Sequence, residues 1–341
     1  MNIEMYAKHI LFSSTIEDKL LPPDNISDAL YPPLLHSSFL PGRPKELAFD
    51  KGRHPFPSSK EMESPQKRGE ALLFFANHEL LAIELMALFI LRFPNSPVKL
   101  RRGILHIIKE EQSHLVMYLR RAKELGAKPG QVPVNRFFWD ALHKMTQKEH
   151  FISAMGLTFE QANLDHCIYY GALFHKYEDI QSASIMQQVY EDEIRHVRHG
   201  YAWSTQLSSE KTWDFHMRHL LPPLTPARAK GRFFDIEGRK SIGFSDEYIQ
   251  KLQNYNSSKG RIPAVWVFNA GIEQELYTKG RLPKIVTRVN NDLAILLATL
   301  CKRDDILHIN RQPSPECMQE LVKLLSAKSG CSGLEYSREL S

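Results

Sequence analysis

Two short strings carry the same pair of side chains at the same spacing: Glu111-Gln112-Ser113-His114 and Glu193-Ile194-Arg195-His196. On a helix, residues three apart project from adjacent turns to the same side. Each pair interrupts an apolar stripe, Ile104, Ile107, Ile108, Leu115 and Tyr118 around the first, Met186, Val189, Val197, Gly200 and Trp203 around the second. Two further stripes hold one carboxylate each: Glu84 among Leu73, Asn77, Leu80, Ala87, Leu88 and Leu91, and Glu160 among Gly156, Leu157, Leu164 and Cys167. An unpartnered carboxylate in an apolar interior is either neutralised or strongly destabilising. Four carboxylates and two imidazoles on four inward faces need a cation, and two divalent ions sharing bridging carboxylates would supply it. Carboxylate with imidazole suits iron or manganese over metals that prefer sulfur. The expected metal ligands are therefore Glu84, Glu111, His114, Glu160, Glu193 and His196, with the four carboxylates also the candidate catalytic groups. Either Glu-x-x-His alone reads equally well as a helix-surface ion pair; the ordered set of six carries the metal reading.

Supporting groups follow from the same strings. A metal-bound imidazole donates its second N–H to a carboxylate or carbonyl, and each Glu-x-x-His is preceded by an acid, Glu110 or Asp192. These could hold the two rings across the site, although Glu110 reads equally well as a solvated helix acid and Asp192 less so, and Arg195 could pair with Asp192. Asp165, five residues past Glu160, is a further candidate for such a role, or else a surface acid. His78 reads as a packing histidine, His199 as exposed, Cys167 as core filler, and Tyr118, Tyr169, Tyr170 and Tyr190 chiefly as core aromatics.

These residues require four long helices. The sequence predicts them over 69–92, stopped by Phe93-Pro94; from Pro97 to about Glu124, ended by Gly126; over 149–176; and over 180–206. The spacings between candidate ligands are 27 residues from Glu84 to Glu111, 46 from His114 to Glu160 and 33 from Glu160 to Glu193. The short link between the last two helices makes them antiparallel neighbours. Residues 1–68 hold nine of the twenty prolines, so they predict an extended wrap with a short helix near its start. Asn254 to Gly260 reads as a linker. Beyond it, strand-like runs at Ala264–Phe268 and Asp305–Ile309 alternate with helical patterns at Leu293–Leu300 and Pro313–Lys328, which predicts a small α/β unit. The expected organisation is a wrap over 1–68, a helical bundle with an extension over 69–258, and the α/β unit over 259–341; the fold class is mainly α.

Composition bounds the rest. At 341 residues the chain is too long for one average domain. With 43% hydrophobic and 24% charged residues it is neither disordered nor a disulfide scaffold. Its four cysteines form no Cys-x-x-Cys, which suits a reducing cytoplasm. A net charge of +5 permits an anionic partner without arguing for nucleic acid. Residues 1–12 lack a secretory signal's apolar run. The apolar run Ala71–Phe93 carries Glu79 and Glu84 mid-span, which is costly in lipid and reads as a buried helix rather than a membrane span.

Residues from about 41 to 206 resemble the ferritin-like family known as domain of unknown function 455. The resemblance rests on Pro41-Gly42-Arg43-Pro44, Lys67-Arg68, His78-Glu79-Leu80 running into Ala82-Ile83-Glu84-Leu85, Glu111-x-x-His114, Phe138-Trp139, Glu160 with Leu164-Asp165, and Asp192-Glu193-x-x-His196-Val197 followed by Gly200 and Trp203. Asn163 and His166-Cys167 are not matched to that pattern. The resemblance implies a ferritin-like four-helix bundle with a di-iron centre at the six ligand positions, and more distantly it is similar to tRNA-hydroxylating and other di-iron monooxygenases. Residues 259–341 loosely resemble a pre-ATP-grasp region, without a Walker-type loop. The function expected is a non-haem di-iron oxidase or oxygenase, with two irons (or manganese, or a mixed pair) and O2 as co-substrate. It would act on a small or carrier-bound biosynthetic substrate and draw on an external electron donor. An ATP-grasp ligase partner and a homodimer are compatible with the sequence. The alternatives are a non-catalytic iron or manganese binding or storage protein, an interaction module with a structural metal and, as a minor variant, a tRNA-modifying hydroxylase.

Overall fold

The computed structural model describes residues 1–34, 39–49, 55–255, 264–277, 282–301, 305–310, 313–314, 316–317 and 319–320. The chain is mainly helical and divides into two compact units, Met1–Tyr255 and Asn256–Ser341.

In the first unit, α1 (Ile3–Phe12) starts where the Asn2 side chain accepts from the Met5 N–H. Its buried residues, Ile3, Tyr6, Ala7, Ile10 and Leu11, fall at helical spacing and pack on α3. The short α2 (Ile16–Lys19) is capped by Thr15. Among its described residues, the proline-rich chain that follows has single 3-10 turns at Lys45–Leu47 and Glu61–Glu63 and no helix longer than these. It is fastened to the helices behind it: the Tyr31 hydroxyl donates to the Ile90 carbonyl at 2.7 Å and the Arg101 guanidinium grips Asp28 at 2.6 Å.

Four long helical stretches follow. They are α3 (Pro65–Arg92); α4 (Val98–Glu124); a stretch made of α6 (Lys148–Phe151), a π-helical segment (Ile152–Phe159) and α7 (Glu160–Lys176); and α8 (Ile180–Leu207). Between α4 and α6 lies α5 (Phe137–Leu142). Pro65 at the first turn and Phe93-Pro94 at the end bound α3, since proline fits a helix start and cannot continue one. Helices α3 and α4 pack together, as do α7 and α8, and α4 packs on α8. One buried carboxylate ties three of them: Asp179 accepts from the Ser182 N–H at the start of α8, from Arg68 of α3 and from Arg121 of α4. By length and mean hydropathy (1.7) α3 is apolar enough to cross a membrane, yet 89% of that window is buried inside the protein, the burial of a core helix.

The π-helical segment departs from the regular helix expected over 149–176. A π turn inserts an extra residue and breaks the 3.6-residue repeat. Here it is held from outside by α9 (Thr212–His219). The Ser153 hydroxyl donates to the His216 carbonyl, the Thr158 hydroxyl donates to the Ser153 carbonyl, and Thr158 lies 2.8 Å from His216 Nε2. The π segment meets α8 where Gly156 and Gly200 stack backbone on backbone. The unit closes with α10 (Ile236–Ile242), capped by Asp235, and α11 (Asp246–Asn254).

In the second unit, β1 (Val265–Val267) and β2 (Ile306–His308) pair in parallel, Trp266 opposite Leu307. Asp305 accepts from the Ala264 N–H and the Trp266 indole. Between the strands run α12 (Ile272–Tyr277), α13 (Lys284–Leu293) and a 3-10 stretch, Ala294–Thr299. The helical pattern read at Leu293–Leu300 thus falls on the end of α13 and that 3-10 stretch. Of the run Pro313–Lys328, residues 313 and 314 are described and not helical, residues 316, 317, 319 and 320 are described and helical, and the remainder lies outside the described residues, as does most of the expected linker.

A Cβ added at Gly200 would meet the Gly156 Cα at 2.7 Å, and neither backbone can turn aside. Overpacking of this kind costs about 1–3 kcal/mol, against the roughly 1 kcal/mol that alanine gains over glycine in a helix. Gly200→Ala is expected to lower the denaturation midpoint, measured by urea titration.

Candidate metal centre

Six buried side chains from four helical stretches meet between α3, α4, α7 and α8. They form two overlapping groups: Glu79, Glu111, His114 and Glu193, and Glu111, Glu160, Glu193 and His196, with the ligand atoms inside each group within 4.8 Å of one another. Glu111 and Glu193 belong to both, the arrangement that bridging carboxylates require. Glu79 with His114 lies to one side and Glu160 with His196 to the other. All six are at most 4% exposed.

The two rings are aimed from opposite helices. His114 of α4 places Nε2 2.9 Å from Asp192 of α8, and His196 of α8 places Nε2 2.8 Å from Glu110 of α4. A carboxylate only accepts, so Nε2 carries a proton in each ring, and Nδ1 faces the cluster, that of His114 lying 3.3 Å from Glu111 Oε2. Arg195 closes this belt from the surface, donating to Glu110 at 2.6 Å and also to Asp192. The Asn163 amide donates to Glu193 at 2.9 Å.

The donor set fits cations. Glu111 Oε1, Glu160 Oε1, Glu193 Oε2 and His196 Nδ1 are buried without a hydrogen bond. His196 Nδ1 lies 3.0 Å from Glu111 Oε1 and 3.4 Å from Glu193 Oε2, near in distance but misaligned for hydrogen bonding. The titration behaviour of the metal-free protein points the same way. Burial, reinforced by the neighbouring carboxylates, pushes Glu79 and Glu160 well above the usual carboxylate range. Burial alone would lower both imidazoles. Asp192 and Glu111 outweigh it for His114, which rises to about 9, and Glu110, Glu111 and Glu193 outweigh it for His196, which rises well above its ordinary value. Glu111 goes down despite burial, because His114 and His196 face it. Two divalent cations would balance four ionised carboxylates.

Of the residues expected from sequence, Glu111, His114, Glu160, Glu193 and His196 are brought together here, with Glu110, Asp192 and Arg195 around the rings. Glu84 is not, and this corrects the expectation. Its carboxylate is buried between Arg43, at 2.6 Å, and Lys19, at 3.1 Å. Five residues turn a helix by about 140° from the starting face, so Glu79 and Glu84 look different ways, and Glu79 occupies the cluster. Because α3 is buried on nearly every side, Glu84's apolar stripe could not identify the metal face. The repeat distance was the available signal: Glu79 to Glu111 is 32 residues, matching the 33 from Glu160 to Glu193.

Asp165 needs the same correction, for the same five-residue reason. It is fully buried and saturated elsewhere, paired with Arg239 at 2.6 Å and accepting from the Gly231 and Asp235 N–H groups. It anchors the chain after α9 rather than any ligand. His199 is not exposed: its ring accepts from the Trp203 indole at 3.0 Å, in space that the missing side chain of Gly103 leaves open. His78 stacks on Phe138 at 4.7 Å. Cys167 is buried. Tyr118 donates to the Met186 sulfur and Tyr190 to Asp235, Tyr169 accepts from Arg232, and Tyr170 packs on Phe75. Asn163 was missed; its place one turn after Glu160 was the only signal.

Compared with known proteins, residues 7–250 match the family described as Protein of unknown function (DUF455). No curated protein and no solved structure matches the chain.

Glu84→Ala would strand Lys19 and Arg43 in the interior. Removing one partner of a buried ion pair costs about 3–5 kcal/mol, and that loss is expected by chemical denaturation; a change under about 1 kcal/mol would contradict this role.

Proposed function

The chain belongs to the DUF455 family, and for it we propose a ferritin-like four-helix bundle that binds two transition-metal ions, iron first and manganese or a mixed pair second, and uses them in an O2-dependent oxidation. The observation that carries this is the cluster of four buried carboxylates with no lysine or arginine in it, two of them shared by both ligand groups. One Glu from each of two helices plus a Glu-x-x-His from each of the other two is the ligand plan of di-iron and di-manganese carboxylate bundles. When bound, the ions would supply reduction of O2, with electrons from an external donor.

The chain's own residues have separable parts in this reading. Glu111 and Glu193, common to both ligand groups, would help to hold both ions, Glu79 and His114 would complete one site, and Glu160 and His196 would complete the other. Glu110 and Asp192 keep the Nε2 protons on the rings, so that Nδ1 stays a donor atom. Asn163 holds one Glu193 oxygen at 2.9 Å and limits how that carboxylate can swing. Buried apolar residues around the cluster keep water away. The substrate class is a small or carrier-bound biosynthetic molecule.

The decisive experiment is iron stoichiometry on anaerobically prepared protein, followed by O2 uptake. The expected result is two ferrous ions per chain and O2 consumption faster than that of free ferrous ion. Two bound irons without that acceleration would leave a structural metal site and sink the oxidase reading. Glu79→Ala is expected to lose at least one ion, whereas Asp192→Asn should weaken binding by roughly 10–100-fold.

Metal loading must also displace protons, because ligands bind deprotonated. Burial raises Glu79 and Glu160, and the facing carboxylates raise His114 and His196, so each favours its protonated form, and loading with metal is expected to release protons in a pH-stat. Release near zero would show that the ions bind elsewhere.

A further inference from the structure

We propose that a small cavity against the Glu160–His196 side of the cluster is a docking pocket for a neutral diatomic gas, dioxygen; the identity of the gas rests on the function proposed above. The cavity has a volume of about 20 Å³, little more than the roughly 10–15 Å³ that one water needs. An organic substrate does not fit. Its walls are Met86 of α3, Ile104 and Ile107 of α4, and Ile152 and Met155 of the π segment, all at most 8% exposed.

Three polar side chains, Glu160, His196 and His199, share the lining. Glu160 and His196 reach the cavity from the cluster, and both keep a buried atom without a hydrogen bond, Glu160 Oε1 and His196 Nδ1. The His199 ring also borders it, with Nε2 already occupied by the Trp203 indole. A buried water needs two to four polar partners, and atoms engaged with a metal would not provide them. A small apolar molecule makes no such demand. The backbone contact of Gly156 with Gly200 forms part of the wall, so the space is set by helix crossing and not by a side chain that could swing away. The organic substrate must then approach the metals along another path.

The test uses methyl relaxation in the full-length protein loaded with zinc, which is diamagnetic and has no redox chemistry, with dissolved dioxygen as a paramagnetic probe and argon as the blank. Excess relaxation is expected at the Met86, Met155, Ile104 and Ile107 methyls over the equally buried Met62 and Ile10. Equal enhancement at both sets overturns the pocket. Ile104→Phe, which fills it, should abolish the excess at the remaining methyls and slow O2 uptake with two irons still bound; persistence of the excess in a folded Ile104→Phe protein counts against the assignment. The two proposals fail separately. Gas entry without O2 uptake by the iron-loaded protein keeps the pocket and removes the oxidase. O2 uptake without excess relaxation does the reverse.

Discussion

Four carboxyl groups lie in an apolar interior with two imidazoles and, among the described residues, no lysine or arginine beside them, and the helices around them answer to that concentration of acid. Isolated ionised groups in a low-dielectric interior are costly enough that they take up protons or pair. Burial and the neighbouring carboxylates raise the Glu79 and Glu160 carboxyls, and the carboxylates around the two rings raise His114 and His196. The surrounding features answer the same demand. Glu110 and Asp192 fix the rings, Arg195 offsets those two acids at the surface, and the π segment delivers Glu160 to the cluster.

The same interior contains a second solution to the same problem. Glu84 is as buried as the cluster residues, yet Lys19 and Arg43 flank it, with side chains at most 3% exposed. Lys19 also donates to the Ile10 and Leu11 carbonyls at the end of α1, and Arg43 to Asn77 on α3. That triad therefore does structural work, fastening the proline-rich segment and α1 against the longest apolar helix. One helix thus presents two buried carboxylates five residues apart, one neutralised by side chains from the N-terminal segment and the other left for protons or metal. Chemical difference between them comes entirely from what each face of α3 meets.

This explains what was legible in the sequence. Both Glu-x-x-His pairs were legible because α4 and α8 have one buried and one wet face, so an acid on the apolar stripe stands out. Glu160 was legible as the one carboxylate in residues 151–162, a run that is buried all round. Helix α3 is buried nearly all round, and there periodicity marks no preferred direction; Asn77 and Glu84 formed a consistent stripe, but it faces Arg43. Asp165 is buried for a reason located 74 residues away, Arg239, which no local pattern reveals. The π segment was invisible because Ser153, Gly156 and Thr158 fit a regular helix equally well, and the wider turn depends on His216 from another element. The helix boundaries at Phe93-Pro94 and Pro97, by contrast, are written in proline chemistry and needed no tertiary information.

The crossed hydrogen bonds between the rings and the acids have a mechanical consequence. Glu110 and His114 sit on one helix, Asp192 and His196 on the other, and each ring is oriented by the opposite helix. Sliding α4 past α8 by one residue, about 1.5 Å, would misdirect both imidazoles at once, and turning either helix alone would do the same. The pair therefore behaves as an interlock: helix register and ligand aim are a single degree of freedom. Any motion that opens this site has to leave the α4–α8 seam fixed and come from the other two helices.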